Sequence, residues 1–113
     1  MAALTSTSIV AAGVAPAPAA VAASDTIAEA QFGTNGCILR VINAGGTIDN
    51  VSVSDPGRTA SNNPGTVTPV AVPITTGVRM IFIPRSAIDP ATGLATITHS
   101  FTTTVTYELY RAA

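Results

Sequence analysis

One histidine, one cysteine and six carboxylates are all that this 113-residue chain offers for acid–base, nucleophilic or metal chemistry. His99 would have to be the base of any Ser–His–Asp arrangement, and serines and aspartates are present to complete one. Nothing around it supports that reading. No nucleophile-elbow sequence surrounds a serine, and His99 stands in the Thr-rich run "LATITHS", 94–100, where an outward position on a sheet is expected. Asp25, Glu29, Asp49, Asp55, Asp89 and Glu108 are spread along the chain and lack the close spacing of a calcium loop. A paired-carboxylate glycosidase would need two of them to converge in space, and a small chain without Trp has little to hold a sugar ring. Cys37 has no partner for an internal disulfide, and one Cys with one His cannot supply a four-ligand zinc site. At the head of an apolar run, Cys37 is expected to be a buried, inert thiol. No enzyme activity, metal or cofactor is expected.

The remaining short motifs read as structure. "NAGG", 43–46, lacks the Lys-Ser/Thr pair of a phosphate loop and is followed by no helical pattern, so a hairpin or bulge turn is expected. Asp55-Pro56-Gly57 and Asp89-Pro90 are turn sequences whose Asp oxygens accept local backbone N–H groups. Asn50-Val51-Ser52 fits the short glycosylation pattern, which matters only in a secreted eukaryotic context. The Thr-x-Thr spacing of an ice-binding face is concentrated in one run, whereas that chemistry needs a flat, repeated array.

Composition points the same way. Charged residues are only 10% of the chain, with five Arg and no Lys, and the formal net charge is -1. That balance gives no electrostatic reason to bind nucleic acid or an anionic membrane. A free monomer normally keeps a mixed, charged surface. Here 20 Ala and 17 Thr must supply much of it, which suits a protein packed against neighbours.

The elements that would position these residues fall into two parts. Residues 1–34 are Ala-rich, carry no basic residue and contain Pro16 and Pro18, which forbid one long helix. The stretch lacks the positive n-region of a signal peptide, and no run of 18 strongly apolar residues exists to span a membrane. It is expected to be an extended N-terminal arm. Ile9, Val10, Val14, Val21 and Ile27 would be spaced anchors that dock on a neighbour; a disordered tail or an edge strand of the same domain would show the same pattern.

From residue 35 to 113 the pattern is that of an all-β domain. Apolar runs occupy 37–42, 48–54, 66–72, 77–83, 94–100 and 101–111, separated by turn residues and by a polar loop at 57–65. Pro69 makes the third run an edge strand or two short pieces. In the last run Phe101, Thr103, Val105, Tyr107 and Leu109 alternate with polar residues, so one face is expected in the core. Leu39, Val41, Val51, Val53, Val78, Met80, Phe82 and Ile97 would join them in a small β-sandwich or short barrel. Residues 38–42 and 79–83 are apolar on both faces apart from Arg40 and Arg79. Another chain, or the arm, would have to cover the second face. An arginine within a strand pairs across an interface or shelters an apolar face with its stem. Tyr110, on the Thr-rich face of the last run, completes the candidate interface.

In order of features the chain resembles the small β-sandwich decoration, or cement, proteins encoded beside the major capsid protein in tailed bacteriophages. The resemblance covers roughly residues 35–111. It lies in "CILRVINAGG" at 37–46, "VSVSDPG" at 51–57, the proline-flanked apolar strand and loop at 72–100, and the closing "VTYELYR" at 105–111. It implies a sandwich of jelly-roll or immunoglobulin-like order, located on the outer capsid surface of a virion. Its partners would be the major capsid protein and neighbouring copies of itself, as a homotrimer, with no nucleic acid, membrane or small-molecule substrate. The bulkier "VTYELY" ending and the polar loop at 57–65 suit a head-to-tail connector or tail protein as well. A non-viral adhesive or carbohydrate-binding β-module is the reading that composition alone would leave.

Overall fold

The structure, a computed structural model, describes residues 2–15, 17–54 and 69–112. It is an all-β fold of two facing sheets, consistent with a β-sandwich. The strands are β1 (Ala2–Ala3), β2 (Ala19–Ala20), β3 (Ser24–Ala28), β4 (Cys37–Asn43), β5 (Asp49–Val53), β6 (Val70–Val72), β7 (Gly77–Ile83), β8 (Leu94–His99) and β9 (Val105–Arg111). One sheet has the order β1-β3-β8-β5-β6 and the other β2-β9-β4-β7. All pairings are antiparallel except the two-residue β1 against β3.

Period-two alternation decides which side chains meet between the sheets. Along β4, Cys37, Leu39, Val41 and Asn43 are buried while Ile38, Arg40 and Ile42 are half-exposed. Ala95, Ile97 and His99 of β8 point inward in the same way, as do Val105 and Leu109 of β9. Ile27, Val51, Val72 and Ile83 complete the layer, each with at most 1% of its surface exposed. The run at 66–72 yields the edge strand β6 at its end; residues 66–68, like the loop at 57–65, lie outside the described residues.

Two expectations are corrected here. On β7 the inward residues are Ile81 and Ile83, whereas Val78, Met80 and Phe82 lie on the outer face. Both sets are apolar apart from Arg79, and β7 is an edge strand, so Arg79 reaches solvent from the inner side without burial. The last strand begins at Val105, not at residue 101. Residues 101–104 form a turn in which Thr104 takes φ 58°.

The N-terminal third is woven into both sheets. After β1 the Leu4 N–H donates to Thr26 O at 2.8 Å; the chain then crosses to the other sheet, where Thr7 N–H donates to Leu109 O at 2.8 Å and Thr7 O accepts Arg111 N–H at 3.1 Å. It leaves as a loop and returns as β2 beside Tyr107 and Thr106 of β9. β3 is an interior strand between β1 and β8. Residues 24–28, expected in an extended arm, are therefore part of the sandwich itself.

Turns 44–48, 73–76 and 100–104 interlock at one end. Asn43 folds its side chain back to accept from Gly45 N–H at 2.9 Å and to donate to Thr47 O at 2.8 Å, which makes "NAGG" the expected turn. A Cβ on Gly45 would stand 2.6 Å from Phe101 Cε2 and 2.9 Å from Thr103 O, so only glycine fits. Thr75 (φ 59°), Thr76 (φ 59°) and Thr104 (φ 58°) all occupy the left-handed region, which is disfavoured for β-branched residues.

Candidate interaction surface and a buried carboxylate–histidine row

The outer face of β9, β4 and β7 is ordered in rows by the strand register. Tyr110, Ile38 and Phe82 form one row, Glu108, Arg40 and Met80 the next, and Thr106, Ile42 and Val78 the third. Met80 and Phe82 are 63% and 58% exposed, although each sits beside a half-buried β4 neighbour. β7 has β4 on one side and, among the described residues, no strand on the other. This is an apolar patch on an edge strand, a feature that marks interaction sites on soluble proteins.

The centre of the face is polar. Arg40 Nη1 pairs with Glu108 Oε2, and Tyr110 donates its hydroxyl to Glu108 Oε1. The Glu108 side chain is 4% exposed against 34% for Arg40, so the arginine stem and the Tyr110 ring shield a carboxylate on the outer face of the sheet. That hydrogen bond to Glu108 holds the Tyr110 hydroxyl protonated above the ordinary tyrosine range; burial and the Glu108 charge push the same way, and Arg40 opposes them. Beside this group, Thr5, Thr7, Ala15, Ala17 and Ala19 border a cavity of about 300 Å³ where the edge of β9 is left open between Thr7 and β2.

The residues expected to make contacts are thus dispersed. Arg40 and Tyr110 are brought together through Glu108. Arg79 is exposed on β7, bonded to its neighbour's carbonyl, Val78 O, at 2.9 Å. Ile9, Val10 and Val14 protrude from the loop between Thr7 and β2, all exposed. Val21 is half-buried against the core. Ile27, with no exposed surface, is a core residue of its own chain and is not available as an anchor. Met80, Phe82 and Glu108 were not singled out as contacts. The apolar character of both β7 faces was the one signal for the first two.

A second cluster lies inside. His99 was expected on an outer sheet face, but its side chain is 1% exposed and points between the sheets. Its Nδ1 lies 2.6 Å from Asp49 Oδ2, and its Nε2 lies 4.0 Å from Asp25 Oδ2. Both aspartates are fully buried. Asp49 Oδ1 also accepts Phe101 N–H at 3.2 Å, and Asp25 Oδ2 accepts Ala22 N–H at 3.1 Å. Among the described residues no buried side-chain nitrogen or oxygen lacks a hydrogen-bond partner. The row has the base and orienting carboxylate of a triad, yet the second ring nitrogen faces a carboxylate where a triad would place a hydroxyl. It can hold strands together. Among the described residues, no group of three or more His, Cys, Asp or Glu is placed to hold a metal ion.

Cys37 is buried as expected, with its thiol 3.3 Å from Gln31 O, and burial raises its ionisation above the ordinary thiol range. Asp89 Oδ1 accepts Ala91 N–H at 2.9 Å, the local turn anticipated for that motif. Compared with known proteins, the chain matches no family model, no curated protein and no solved structure.

Proposed function

We propose that this chain is a non-enzymatic structural protein of a virion, which decorates and stabilises the outer surface of a tailed-phage capsid by bridging capsid subunits. The observation that carries the reading is the β4–β7 outer face, where Met80 and Phe82 are more than half exposed on an edge strand. A chain with only 10% charged residues has little charge to keep such a patch dispersed in water, which favours its association with a partner. Partner residues, or copies arranged as a trimer, would cover it. The exposed loop with Ile9, Val10 and Val14 supplies the docking element in this reading, in place of a free arm over residues 1–34. The sandwich is taken as one of the jelly-roll or immunoglobulin-like kind, and the resemblance of residues 35–111 to decoration proteins supplies the capsid as partner.

Quantitative mass spectrometry of purified virions tests this. A fixed ratio of one copy, or one trimer, per few major capsid subunits supports decoration. A few copies per particle would move the chain to the connector or tail, the role suited by the bulky Tyr107 and Tyr110 of β9. Absence from particles would refute both.

A further inference from the structure

Two apolar features stand at opposite edges of one sheet. In the order β2-β9-β4-β7, the outer face of β7 presents Met80 and Phe82 at one edge. The loop between Thr7 and β2 projects Ile9, Val10 and Val14 at the other, where Thr7 and β2 both pair with β9. Both ends of that loop are pinned. Thr7 is hydrogen-bonded to Leu109 and Arg111, and Ala19–Ala20 is paired with Tyr107 and Thr106. Within it, Gly13 N–H donates to Val10 O at 2.9 Å and closes a turn, with Gly13 at φ 89°. The apolar tip is thus held out before any partner arrives, which lowers the ordering cost of docking. β9 and β4 separate the loop edge from β7, so the loop does not cover the β7 face of its own chain, and both features stay exposed.

We infer that the two features are the halves of one contact: the loop of one copy docks on the outer face of β7 of the next, joining copies head to tail. This deepens the reading above and rests on its claim that the β7 face is a contact surface. Symmetry selects the arrangement. A two-fold contact of β7 with β7 covers Met80 and Phe82 but leaves both loops in water, and a loop-to-loop contact does the reverse. The head-to-tail contact covers both features on every copy once the copies close into a ring. Charge permits it. No charged side chain precedes Asp25, so the loop brings no ion to be desolvated against Met80 and Phe82 and no cation to repel the exposed Arg79.

Two variants read the two halves separately. Ile9→Ser with Val10→Ser and Val14→Ser removes the loop contact and keeps the β7 face; Met80→Ser with Phe82→Ser does the opposite. Sedimentation velocity of the full chain, from about 1 μM to about 1 mM, covers interfaces of moderate affinity. The wild type should form assemblies larger than a dimer. Each variant alone should be a monomer that melts with wild type, because all the changed positions are exposed. An equimolar mixture of the two should form a heterodimer and nothing larger, since one intact loop then meets one intact face. That outcome belongs to a head-to-tail contact alone. A wild type that is monomeric throughout the range overturns the inference, and binding of that monomer to shells would leave the capsid reading standing. Assembly of either variant alone beyond the monomer, or a mixture of folded variants that stays monomeric, overturns it as well. Should the serine variant of β7 not fold, Met80→Ala with Phe82→Ala takes its place.

Discussion

His99 Nδ1 lies 2.6 Å from Asp49 Oδ2, across a separation of 50 residues in the chain. The contact fastens β8 to β5 inside the sandwich, and Asp25 extends it to β3. Replacing the ring by a methyl group leaves two buried carboxylates facing a void. His99→Ala should destabilise the fold by about 1–3 kcal/mol, the cost of leaving a buried hydrogen-bonding group without its partner. Chemical denaturation measures this; a loss comparable to a surface substitution would place the ring outside the core.

Met80 and Phe82 are exposed, so their removal should leave the fold intact. Met80→Ser with Phe82→Ser should change stability by no more than about 0.5 kcal/mol each. The same double variant should bind shells much more weakly than wild type. Thermal unfolding and shell co-sedimentation, made on one preparation, separate the two effects.

Residues 1–30 cannot be removed cleanly, since Asp25 and Ile27 lie in the core. The informative change is Ile9→Ser with Val10→Ser and Val14→Ser, three exposed positions in one loop. This variant should melt with wild type and lose shell affinity. Undiminished affinity, measured by the same sedimentation assay, would remove the loop from the contact.

Thr104 takes φ 58°, a conformation that costs an L-residue roughly 1–2 kcal/mol. Glycine adopts it freely but loses more backbone entropy on folding, roughly 0.5–1 kcal/mol. Thr104→Gly should therefore stabilise the protein by up to about 1 kcal/mol. Gly45→Ala, whose methyl would meet Phe101 and the Thr103 carbonyl at the same turn, should destabilise it. Denaturant midpoints of the two variants should move in opposite directions.

Tyr110 should ionise at higher pH than an ordinary tyrosine, because its hydroxyl donates to Glu108. The folded chain then holds the proton longer than the unfolded one. That contribution to stability is whole below the unfolded tyrosine range, and it is lost as pH rises through the folded value. Ultraviolet difference titration of a Tyr107→Phe background should show Tyr110 ionising above the ordinary tyrosine range, and Glu108→Gln should bring it back toward that range.

Local pattern identified β4, β5, β7 and β8 within a residue or two, because alternation and flanking turn residues act within each run. It could not orient β7. Val78, Met80 and Phe82 are as apolar as Ile81 and Ile83, and a one-residue change of facing exchanges them. Pattern also failed over residues 1–34, where Ser24–Ala28 gains its strand from pairing with β8, some 70 residues later. The buried row was hidden for the same reason. Asp25, Asp49 and His99 are ordinary polar residues until three strands align, and a lone His in a Thr-rich run gives no local sign of facing inward. Cys37 and the Asn43 and Asp89 turns were legible because their partners are close in sequence.

The most direct test of the capsid reading is a binding isotherm of the purified full chain on shells assembled without it. Saturable binding at a ratio set by the shell lattice, reduced by Met80→Ser with Phe82→Ser, is the expected result. A wild-type chain that stays in the supernatant at every concentration would contradict the account.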